Sequence, residues 1–513
     1  MPAIMIDIDD VLTNNLKKYC IGLKDSIAVY GTGEGAKEIF KALEKLNLTS
    51  QFKLAIDRDD SEKIGGELFG RTVCRLHEAV GRTDVIIIAA RINHLVISKR
   101  IQDFLNGIPE NIKIINPFLH KNTIEDEIQY VHYLEEANAS LGKEFVPFED
   151  GKYIKEERDT KIIAWYLPQF HQMEINNKFH GQGFTEWTNT SKAFPQFCEH
   201  YQPHIPYDVG YYDLLNVETL KRQAYLAHNY GIYGFAFHYY WFSGERIMEK
   251  PLNLFLEHKE IDIPFCINWA DENWTSVWDG GNQDIMYEQK LNSSDEERFM
   301  EDLLPLLNDP RYIKIEGRPL ISIYRTDIFD KKRFILFVQN IRSIAKKRGF
   351  KDLFILITTA TKNEENPHSW GADGLVEFPP HRINQSVRRI RPQGYLNPHF
   401  RGNIYEMSEF IDKKKYMVKY NADIVFRTAM TGFDNTPRRG TTAAGIFYGL
   451  TPKKYKNWLK DILRESKKEH SSLMDFVFVN GWNEWAEGAH LEPDLKYGYA
   501  YLEATRQALI EVR

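Results

Sequence analysis

The chain has 513 residues, of which 43% are apolar and 27% charged, as in folded globular proteins and unlike disordered or fibrous ones. The net charge of −6 is small, and no stripe of lysine and arginine is interleaved with aromatic residues, so we expect no nucleic-acid partner. The four cysteines are scattered and form no CxxC pair, and the sequence shows no signal peptide. No run approaches the roughly 18 apolar residues that a membrane span needs. We therefore predict a cytoplasmic protein with no transmembrane segment, for which peripheral attachment to the inner membrane stays open.

The first 121 residues have the pattern of a small parallel-sheet domain. Apolar runs at residues 26–30, 52–56, 84–90 and 112–115 predict four strands, with helical patterns between them. Such alternation is typical of a Rossmann-like α/β domain. Residues 122–158 are predicted to form a linker, helical and acidic at 122–138 and charged without periodicity from 142 onward.

Residues 159–513 predict a (β/α)8 TIM barrel. Eight short apolar runs recur with helical spacers, at residues 161–166, 231–238, 264–268, 319–324, 353–358, 374–378, 422–427 and 475–480. In such barrels the functional residues lie at the carboxyl ends of the strands. Polar and aromatic clusters follow several of these runs, so we expect the site at that face.

A pair of glutamates follows the last predicted strand. Glu484 and Glu487 lie in the run GWNEWAEG at 481–488. Action on a glycosidic bond needs one carboxyl group that protonates the leaving oxygen and a second that acts as base or nucleophile. Trp482 and Trp485 flank the pair and would raise the pKa of whichever glutamate stays protonated. We predict this pair to be catalytic; a solvated helix start is the alternative.

Aromatic residues make up 13% of the chain and cluster after residue 161, which suits the C–H faces of sugar rings. Substrate contacts are predicted at the strand ends and in the loops that follow. The predicted residues are Tyr166, Gln169, His171, Glu186, Trp187, His238, Tyr239, Tyr240, Asn268, Trp269, Asp271, Glu272, Trp274, Asp434, Arg438, Trp482, Asn483, Trp485 and Glu492.

Some of these residues have a second interpretation. His238 fits a packed, hydrogen-bonded histidine equally well. Asp271 and Glu272 could bind a metal together with Glu186, as hard oxygen ligands do, but we expect no metal. Arg438 lies in the run FDNTPRRG at 433–440 and is the predicted counter-charge to a sugar acid or a lipid-linked diphosphate, with a capped turn as the alternative.

Several runs of the sequence are those of one known family. They are WYLPQFH at 165–171, GFTEW at 183–187, FHYYWF at 237–242, NWADENW at 268–274, and GWNEWAEG followed by LEPD at 481–494. From about residue 161 to the C-terminus the chain therefore resembles the WbsX family of polysaccharide-biosynthesis proteins. This resemblance implies a role in surface-polysaccharide or lipopolysaccharide assembly, and members are commonly described as glycosyltransferases.

The WbsX family is in turn similar to the endo-α-mannosidases of glycoside hydrolase family 99, (β/α)8 barrels with a Glu-Trp-x-Glu-Gly segment after the last strand. That similarity implies that Glu487 is the acid/base at the glycosidic oxygen. It also implies that Glu484 deprotonates the sugar 2-hydroxyl, which attacks the anomeric carbon to give a 1,2-anhydro sugar in a retaining reaction. Ala486 stands where the mannosidases commonly have histidine, so a contact there is expected to differ.

The N-terminal domain has a candidate cofactor site. Gly31 and Gly33 lie in a glycine-rich turn between a strand and a helix, and Asp57 ends the next strand, as in dinucleotide-binding domains. The domain also resembles the Rossmann-like modules of sugar-modifying acyltransferases, which hold a nucleotide sugar or serve as docking platforms. We expect a nucleotide or nucleotide sugar here without hydride chemistry, and no cofactor for the barrel.

Four functions stay open at this point. The favoured one is glycoside hydrolase-like action on an O antigen, capsule or lipopolysaccharide. A glycosyltransferase that uses a nucleotide-sugar or lipid-linked donor is the second. The others are a non-catalytic glycan-binding scaffold that recruits further polysaccharide-assembly enzymes, and a nucleotide-sensing regulator. The expected partners are an oligo- or polysaccharide substrate and such assembly enzymes.

Overall fold

The computed structural model describes residues 5–17, 19, 25–90, 94–106, 112–117, 141–151, 153–275, 285–360, 366–392, 396–397 and 399–513. The predicted linker helix at 122–138 lies outside these residues. The described part of the predicted linker, from residue 141 onward, contains no helix. It packs on the barrel, where Val146 pairs with Gly498 in an isolated bridge.

The N-terminal sheet has the strand order of a Rossmann-like domain. From one edge to the other its strands are Glu67–Leu68, Arg71–Cys74, Phe52–Ile56, Ile27–Tyr30, Val85–Ile88 and Lys113–Ile115. All pairings are parallel except that of the first two strands. The chain order reverses direction between Ile27–Tyr30 and Val85–Ile88, which creates the crevice where such folds bind ligands.

The prediction of a parallel N-terminal sheet is confirmed, and two strands are added to it. The strands Ile27–Tyr30 and Val85–Ile88 are buried on both faces, which explains their uninterrupted apolar sequences. Sequence analysis missed the hairpin of Glu67–Leu68 and Arg71–Cys74, which is short and partly polar. The helices of this region are Ile8–Lys17, Glu34–Lys45, Leu76–Ala79 and His94–Leu105.

The predicted TIM barrel is confirmed as a nearly closed parallel barrel. Its strands, in chain order and spatial order alike, are Lys161–Tyr166, Ile232–Phe242, Phe265–Trp269, Arg318–Ile323, Phe354–Thr358, Gly374–Val376, Val425–Phe426 continued by Thr428–Met430, and Phe476–Asn480. The eighth strand pairs with the first, with Phe476 opposite Lys161. We call these barrel strands one to eight.

The seventh barrel strand is divided at Arg427. Its first part pairs with strand six and its second part with strand eight. The division has a local cause, because the Glu377 carboxylate accepts hydrogen bonds from the Thr428 amide and from the Arg427 guanidinium. Those bonds take the place of further backbone pairing with strand six.

Helices and short 3-10 turns surround the barrel. They are Glu174–His180, Glu186–Ser191, Val217–Asn229, Glu249–Glu257, Asp295–Leu307, Lys331–Lys347, Pro367–Trp370, Ile383–Gln385, Ser408–Asp412, Thr436–Arg439, Pro452–Glu469, Trp485–Glu487 and Ala500–Val512. Local sequence sets where the long ones begin. Thr451 caps the helix Pro452–Glu469 by accepting from the Lys454 amide, and proline occupies the first helical position.

A further four-stranded sheet joins the two halves of the chain. It consists of Met5–Asp7, Arg389–Pro392, Asn403–Glu406 and Gly445–Tyr448. Three of its strands come from insertions after barrel strands six and seven, and the fourth lies near the start of the chain. An ion pair of 3.0 Å between Glu38 and Arg389 adds a contact between the two halves.

Short pairings complete the structure. Glu245–Ile247 folds back on the end of strand two, Lys314–Ile315 pairs with the start of strand four, and Trp274–Thr275 pairs with Ile285–Tyr287. None of the helices in the described ranges combines the length and the apolar character that crossing a bilayer requires.

Candidate active site

A tight hairpin after strand eight carries the two predicted catalytic glutamates. Asn483–Glu484 pairs antiparallel with Ala489–His490, and the 3-10 turn Trp485–Glu487 lies between them. The turn closes at Gly488, where the backbone is left-handed with φ of 60° and a Cβ atom would press on His204 and Asp434 at 3.3–3.4 Å. The hairpin fixes both glutamates on one short, rigid segment.

One buried arginine binds three glutamates at the carboxyl face of the barrel. Arg438 Nε lies 3.0 Å from Glu186 Oε2, Nη1 lies 2.6 Å from Glu487 Oε1, and Nη2 lies 3.0 Å from Glu484 Oε2. The side chains of Arg438 and Glu484 are 4% and 9% exposed, whereas that of Glu487 is 20% exposed. We call these four residues the arginine cluster.

The arginine cluster has more negative than positive groups, so it favours holding a proton. Burial raises the pKa of Glu484 well above its usual range. Arg438 opposes this rise, and the charges of Glu487 and Glu186 add to it. Because Glu484 and Glu487 bind the same guanidinium, the protonation of Glu484 depends on the charge of its neighbour.

His238 closes one side of the arginine cluster. Its Nε2 atom lies 3.8 Å from Glu484 Oε1, and its ring stacks on Trp165. The Asn268 amide group lies 3.1 Å from Nδ1 and donates to it, which leaves the ring hydrogen on Nε2, facing Glu484. Burial and the Arg438 charge lower the pKa of His238 to about 4, so the ring is neutral near pH 7.

Two tyrosines and a second acid–arginine pair form the rest of the mouth, which is the opening of the barrel at the carboxyl ends of its strands. Burial raises the pKa of Tyr240, and the charge of nearby Glu484 adds to the rise. Glu272 lies 3.4 Å from Arg325, and burial raises its pKa too. Tyr324, which directly follows strand four, has its hydroxyl 2.8 Å from His381 Nε2. Sequence analysis missed Tyr324, although its place at a strand end was a usable signal.

Glu492 organises a buried network behind the catalytic hairpin. Its carboxylate accepts hydrogen bonds from the Trp482 and Trp485 indoles, at 3.1 and 2.7 Å, and from Gln223 and Tyr212, at 2.6 and 2.8 Å. Burial raises the pKa of Glu492 to about 7, although these bonds oppose the rise. Both tryptophans that flank the glutamate pair are therefore fixed from behind by one carboxylate.

Several residues predicted to contact sugar point away from the mouth. In strand two, alternation turns Tyr239 to the opposite face from His238 and Tyr240, toward Phe299. The Trp269 ring likewise packs against Phe299. Packing or hydrogen-bond contacts bury nine of the residues predicted to contact sugar: Tyr166, Trp187, Tyr239, Trp269, Trp274, Trp482, Asn483, Trp485 and Glu492.

Their hydrogen bonds explain these positions. Tyr166 donates to Gln223 Oε1 at 2.6 Å, and the Trp187 indole donates to the Tyr212 carbonyl at 2.7 Å. The Asn483 side chain exchanges two hydrogen bonds with the Leu167 backbone. These contacts attach the hairpin to the end of strand one.

The remaining predicted residues are dispersed. Gln169 and His171 are buried after strand one, and neither His171 nitrogen has a hydrogen-bond partner within the described ranges. Asp271 is fully buried and accepts from the Arg325 amide at 2.7 Å. Asp434 lies behind the hairpin, where His200 and Gln202 bind its Oδ2 at 2.6 and 2.8 Å. Sequence analysis missed both partners.

Metal-binding geometry is found elsewhere than in the arginine cluster. In the described part of the chain, the ligand atoms of His204, His490 and Asp494 lie within 4.8 Å of one another. The two rings are joined directly, with 2.7 Å between His204 Nδ1 and His490 Nε2, which is a hydrogen-bond distance. Glu186 and Glu272, two of the acids weighed as metal ligands, are paired with Arg438 and Arg325.

The predicted nucleotide-site residues come together at the crevice of the N-terminal sheet. Thr32, between Gly31 and Gly33, donates to Asp57 Oδ2 at 2.5 Å, and Ser61 donates to the same atom at 3.1 Å. Although burial opposes it, these bonds lower the pKa of Asp57. Gly33 precedes the helix Glu34–Lys45, and no side chain caps that helix.

Comparisons with known proteins place the barrel in one family. The family described as glycosyltransferase WbsX matches residues 162–505. Uncharacterized protein WxcX of Xanthomonas campestris pv. campestris strain B100 is 34% identical over 358 residues, which cover 69% of this chain and 50% of that protein. The same values hold for WxcX of strain ATCC 33913. The chain thus spans about half the length of these curated relatives.

Two solved structures match this chain at low sequence identity. The GH99 endo-alpha-mannosidase from Bacteroides thetaiotaomicron has a TM-score of 0.43 and 14% identity, and the match covers 70% of this chain and 98% of that one. An alpha-amylase from Anoxybacillus has a TM-score of 0.32 and 10% identity, over 69% of this chain and 78% of the other.

Proposed function

Because the chain belongs to the family described as glycosyltransferase WbsX, we propose that its barrel is a carbohydrate-active enzyme that acts on a glycosidic bond of a surface polysaccharide. The arginine cluster is the observation that carries this proposal. It gathers Glu484 and Glu487 at the carboxyl face of a barrel, where barrel enzymes hold their reactive groups. Two carboxyl groups that share a buried cation suit paired acid and base chemistry.

The two glutamates share one proton in the proposed reaction. Glu487 gives its proton to the leaving glycosidic oxygen, while Glu484 takes the proton of the sugar 2-hydroxyl, whose oxygen closes on the anomeric carbon. Water then opens the 1,2-anhydro sugar, with Glu487 as base and Glu484 as acid. The pair ends as it began, with the configuration at the anomeric carbon retained.

The proton has to move from Glu484 to Glu487 before the first step. In the free site burial favours the proton on Glu484, while Arg438 binds Glu487 at 2.6 Å. A sugar oxygen that displaces Arg438 from Glu487 would free this carboxylate to accept a proton. The proton would then pass to Glu487, which is the more exposed of the two and the one that the substrate reaches first.

Other mouth residues support binding. Neutral His238 presents its Nε2 hydrogen beside Glu484, which suits a hydrogen bond to a sugar hydroxyl. The Tyr240 and Tyr324 rings offer surfaces for the C–H faces of sugars. We propose Glu186 as a positioning residue, since it holds Arg438 against the catalytic pair.

Hydrolysis and transfer differ in what opens the intermediate. We favour hydrolysis on the strength of the paired carboxyl groups. Transfer to a sugar acceptor is the second candidate, because the family is described as a glycosyltransferase family. In that case a nucleotide sugar or a lipid-linked sugar is the donor, and the N-terminal crevice beside Asp57 is the proposed nucleotide site.

Mass spectrometry of reaction products tests the proposal. Wild type and Glu487→Gln are incubated with the surface polysaccharide of the cell that makes the protein, with and without a panel of nucleotide sugars. Shortening by wild type alone, without nucleotide sugars, is the expected result. Extension that needs a nucleotide sugar would establish transfer instead. Equal products from both proteins would refute a catalytic role of Glu487.

The N-terminal site has its own test. A UDP-sugar or NAD that binds the native crevice raises the thermal midpoint, because the stabilisation grows with the logarithm of one plus the ligand concentration over Kd. The shift should disappear in Asp57→Asn and persist in the mouth variant Glu487→Gln. Absence of a shift with every nucleotide would leave docking as the role of this domain and contradict nucleotide binding.

A further inference from the structure

A second cavity, of about 990 Å³, lies behind the catalytic hairpin. We call it the rear cavity. Most of its lining comes from four parts of the chain: residues 141–144, 193–205, the segments 431–434 and 446–451 that follow strand seven, and the segment 488–497 that follows strand eight. Ser408, Lys454 and Tyr501 complete the lining. Arg438 and its three glutamates are not among the lining residues. The rear cavity is therefore separate from the mouth.

One layer of backbone separates the rear cavity from the arginine cluster. Gly488, which directly follows Glu487, lines the rear cavity. Asp434 lines it too, and its amide donates to the Glu487 carbonyl at 2.7 Å. Asp434 Oδ1 also accepts from the Thr436 amide, at the start of the short helix that carries Arg438. A ligand in the rear cavity would thus touch both segments that hold the catalytic groups.

The lining combines aromatic rings with uncharged polar groups. Phe433, Tyr448 and Tyr497 contribute rings, and Phe194 at the rim is 46% exposed. Thr431 is 2% exposed and lines the rear cavity. Within the described chain, its hydroxyl and the Gln202 side-chain carbonyl have no hydrogen-bond partner. Both atoms have almost no accessible surface, so a ligand would bond to them only after the side chains rotate toward the rear cavity. Such bonds would remove the cost of buried polar groups without partners and so add affinity.

The charges of the lining favour a neutral ligand. Three lysines lie among four carboxylates, so neither sign dominates. A site for a polyanion collects cations instead. The volume lies at the upper end of the range of small-molecule sites, roughly 300–1,000 Å³, and exceeds the needs of a single sugar ring.

From this arrangement we propose that the rear cavity binds a second segment of the glycan chain, a neutral oligosaccharide beyond the sugar that occupies the barrel mouth. This inference rests on the proposed function, because it assigns both sites to one polymer. The aromatic rings would stack on sugar faces, and Thr431 and Gln202 would bond to hydroxyl groups. The enzyme would then select long chains over short ones.

Titration calorimetry on the Glu487→Gln background tests this inference without turnover. The probes are a disaccharide fraction and a longer oligosaccharide fraction, both released from the surface polysaccharide by partial acid hydrolysis. Thr431→Val removes a hydroxyl that has no protein partner among the described residues, so the fold loses no hydrogen bond. We expect it to weaken binding of the longer fraction about two- to tenfold and to leave the disaccharide unaffected.

Matched substitutions outside the rear cavity serve as controls. Ser322→Ala removes another buried, unpartnered hydroxyl of the described chain, within strand four. Phe194→Ala, which should act like Thr431→Val, is matched by Phe179→Ala, since Phe179 is 40% exposed on a helix that does not line the rear cavity. Both controls should bind the longer fraction as tightly as the background protein.

Two results would overturn the inference. One is that Thr431→Val and Phe194→Ala bind the longer fraction as tightly as their controls. The other is that they weaken both fractions equally, which would indicate a distorted mouth. A third measurement concerns only the charge of the ligand. Binding that appears only with charged oligosaccharides and weakens as the salt concentration rises would overturn the assignment of a neutral ligand. Failure of the proposed function is seen separately, as cleavage by Glu487→Gln at the wild-type rate.

Discussion

The substitution Arg438→Gln tests whether one cation holds the catalytic glutamates together. It leaves the carboxyl groups of Glu186, Glu484 and Glu487 without their shared partner in a buried place. Removing one member of a buried ion pair typically costs 3–5 kcal/mol, on the order of a third or more of a domain's stability. We expect a loss of about that size in the free energy of unfolding at pH 9.5, where wild-type Glu484, with a pKa of about 8, is ionised.

The loss in the free energy of unfolding should be smaller at low pH than at high pH. Arg438 lowers the pKa of Glu484, so its removal raises that folded-state pKa further above the unfolded value. A carboxyl group with a raised pKa destabilises the fold as pH rises from the unfolded pKa through the folded one. Burial already raises the pKa of wild-type Glu484 to about 8, so the further rise in the variant adds a loss only above that pH. At pH 5 both proteins hold this proton, and we expect less than half of the loss seen at pH 9.5.

Urea denaturation followed by tryptophan fluorescence measures both values. All ten tryptophans follow residue 160, so the signal reports on the barrel. Arg439→Gln, the same change one residue along the short helix, is the control, and we expect a loss below about 1 kcal/mol. An equal loss for Arg438→Gln at both pH values would show that packing, and not charge, explains the effect, and would refute the reasoning.

Three further predictions follow from single contacts. His238→Ala should lower kcat/KM about ten- to a hundredfold and cost about 2–4 kcal/mol in urea denaturation, because it removes a buried ring; a wild-type kcat/KM would exclude a substrate contact. Glu492→Gln turns an amide N–H₂ toward two hydrogen-bond donors and should cost about 2–3 kcal/mol in urea denaturation; full stability would show that the network does not fix the hairpin. Gly35→Ala places a Cβ 1.7 Å from the Ala89 carbonyl oxygen, so backbone hydrogen exchange should rise in Ile27–Tyr30 and Val85–Ile88. Gly33→Ala is the control, because its Cβ meets no atom within 4 Å. Equal exchange in both variants would contradict the expected steric overlap.

The sequence predicted both sheets because their strands are continuous apolar runs. The runs at 161–166 and 475–480 lie where strands one and eight were found. The sheet of Met5–Asp7, Arg389–Pro392, Asn403–Glu406 and Gly445–Tyr448 was not predicted. Its strands are three or four residues long, partly polar and distant in sequence, so no periodic pattern predicts their pairing.

At the candidate site, the sequence located the right segments but not the direction of every side chain. Alternation along strand two was enough to separate His238 and Tyr240 from Tyr239, and that signal was overlooked. The role of Glu492 had no local signal, because Gln223 and Tyr212 reach it across more than 260 residues. The bond of Arg438 to three glutamates likewise depends on loops from different strands.

The most direct test of the central claim measures turnover and affinity together for Glu487→Gln, with the longer oligosaccharide as substrate. General acid–base catalysis contributes about 10²–10⁴ in rate, so we predict a fall of that size in turnover with Kd within about threefold of wild type. Turnover at the wild-type rate would contradict the assignment of Glu487. The absence of turnover in wild type as well, with tight binding in both proteins, would show that the barrel recognises glycans without acting on them.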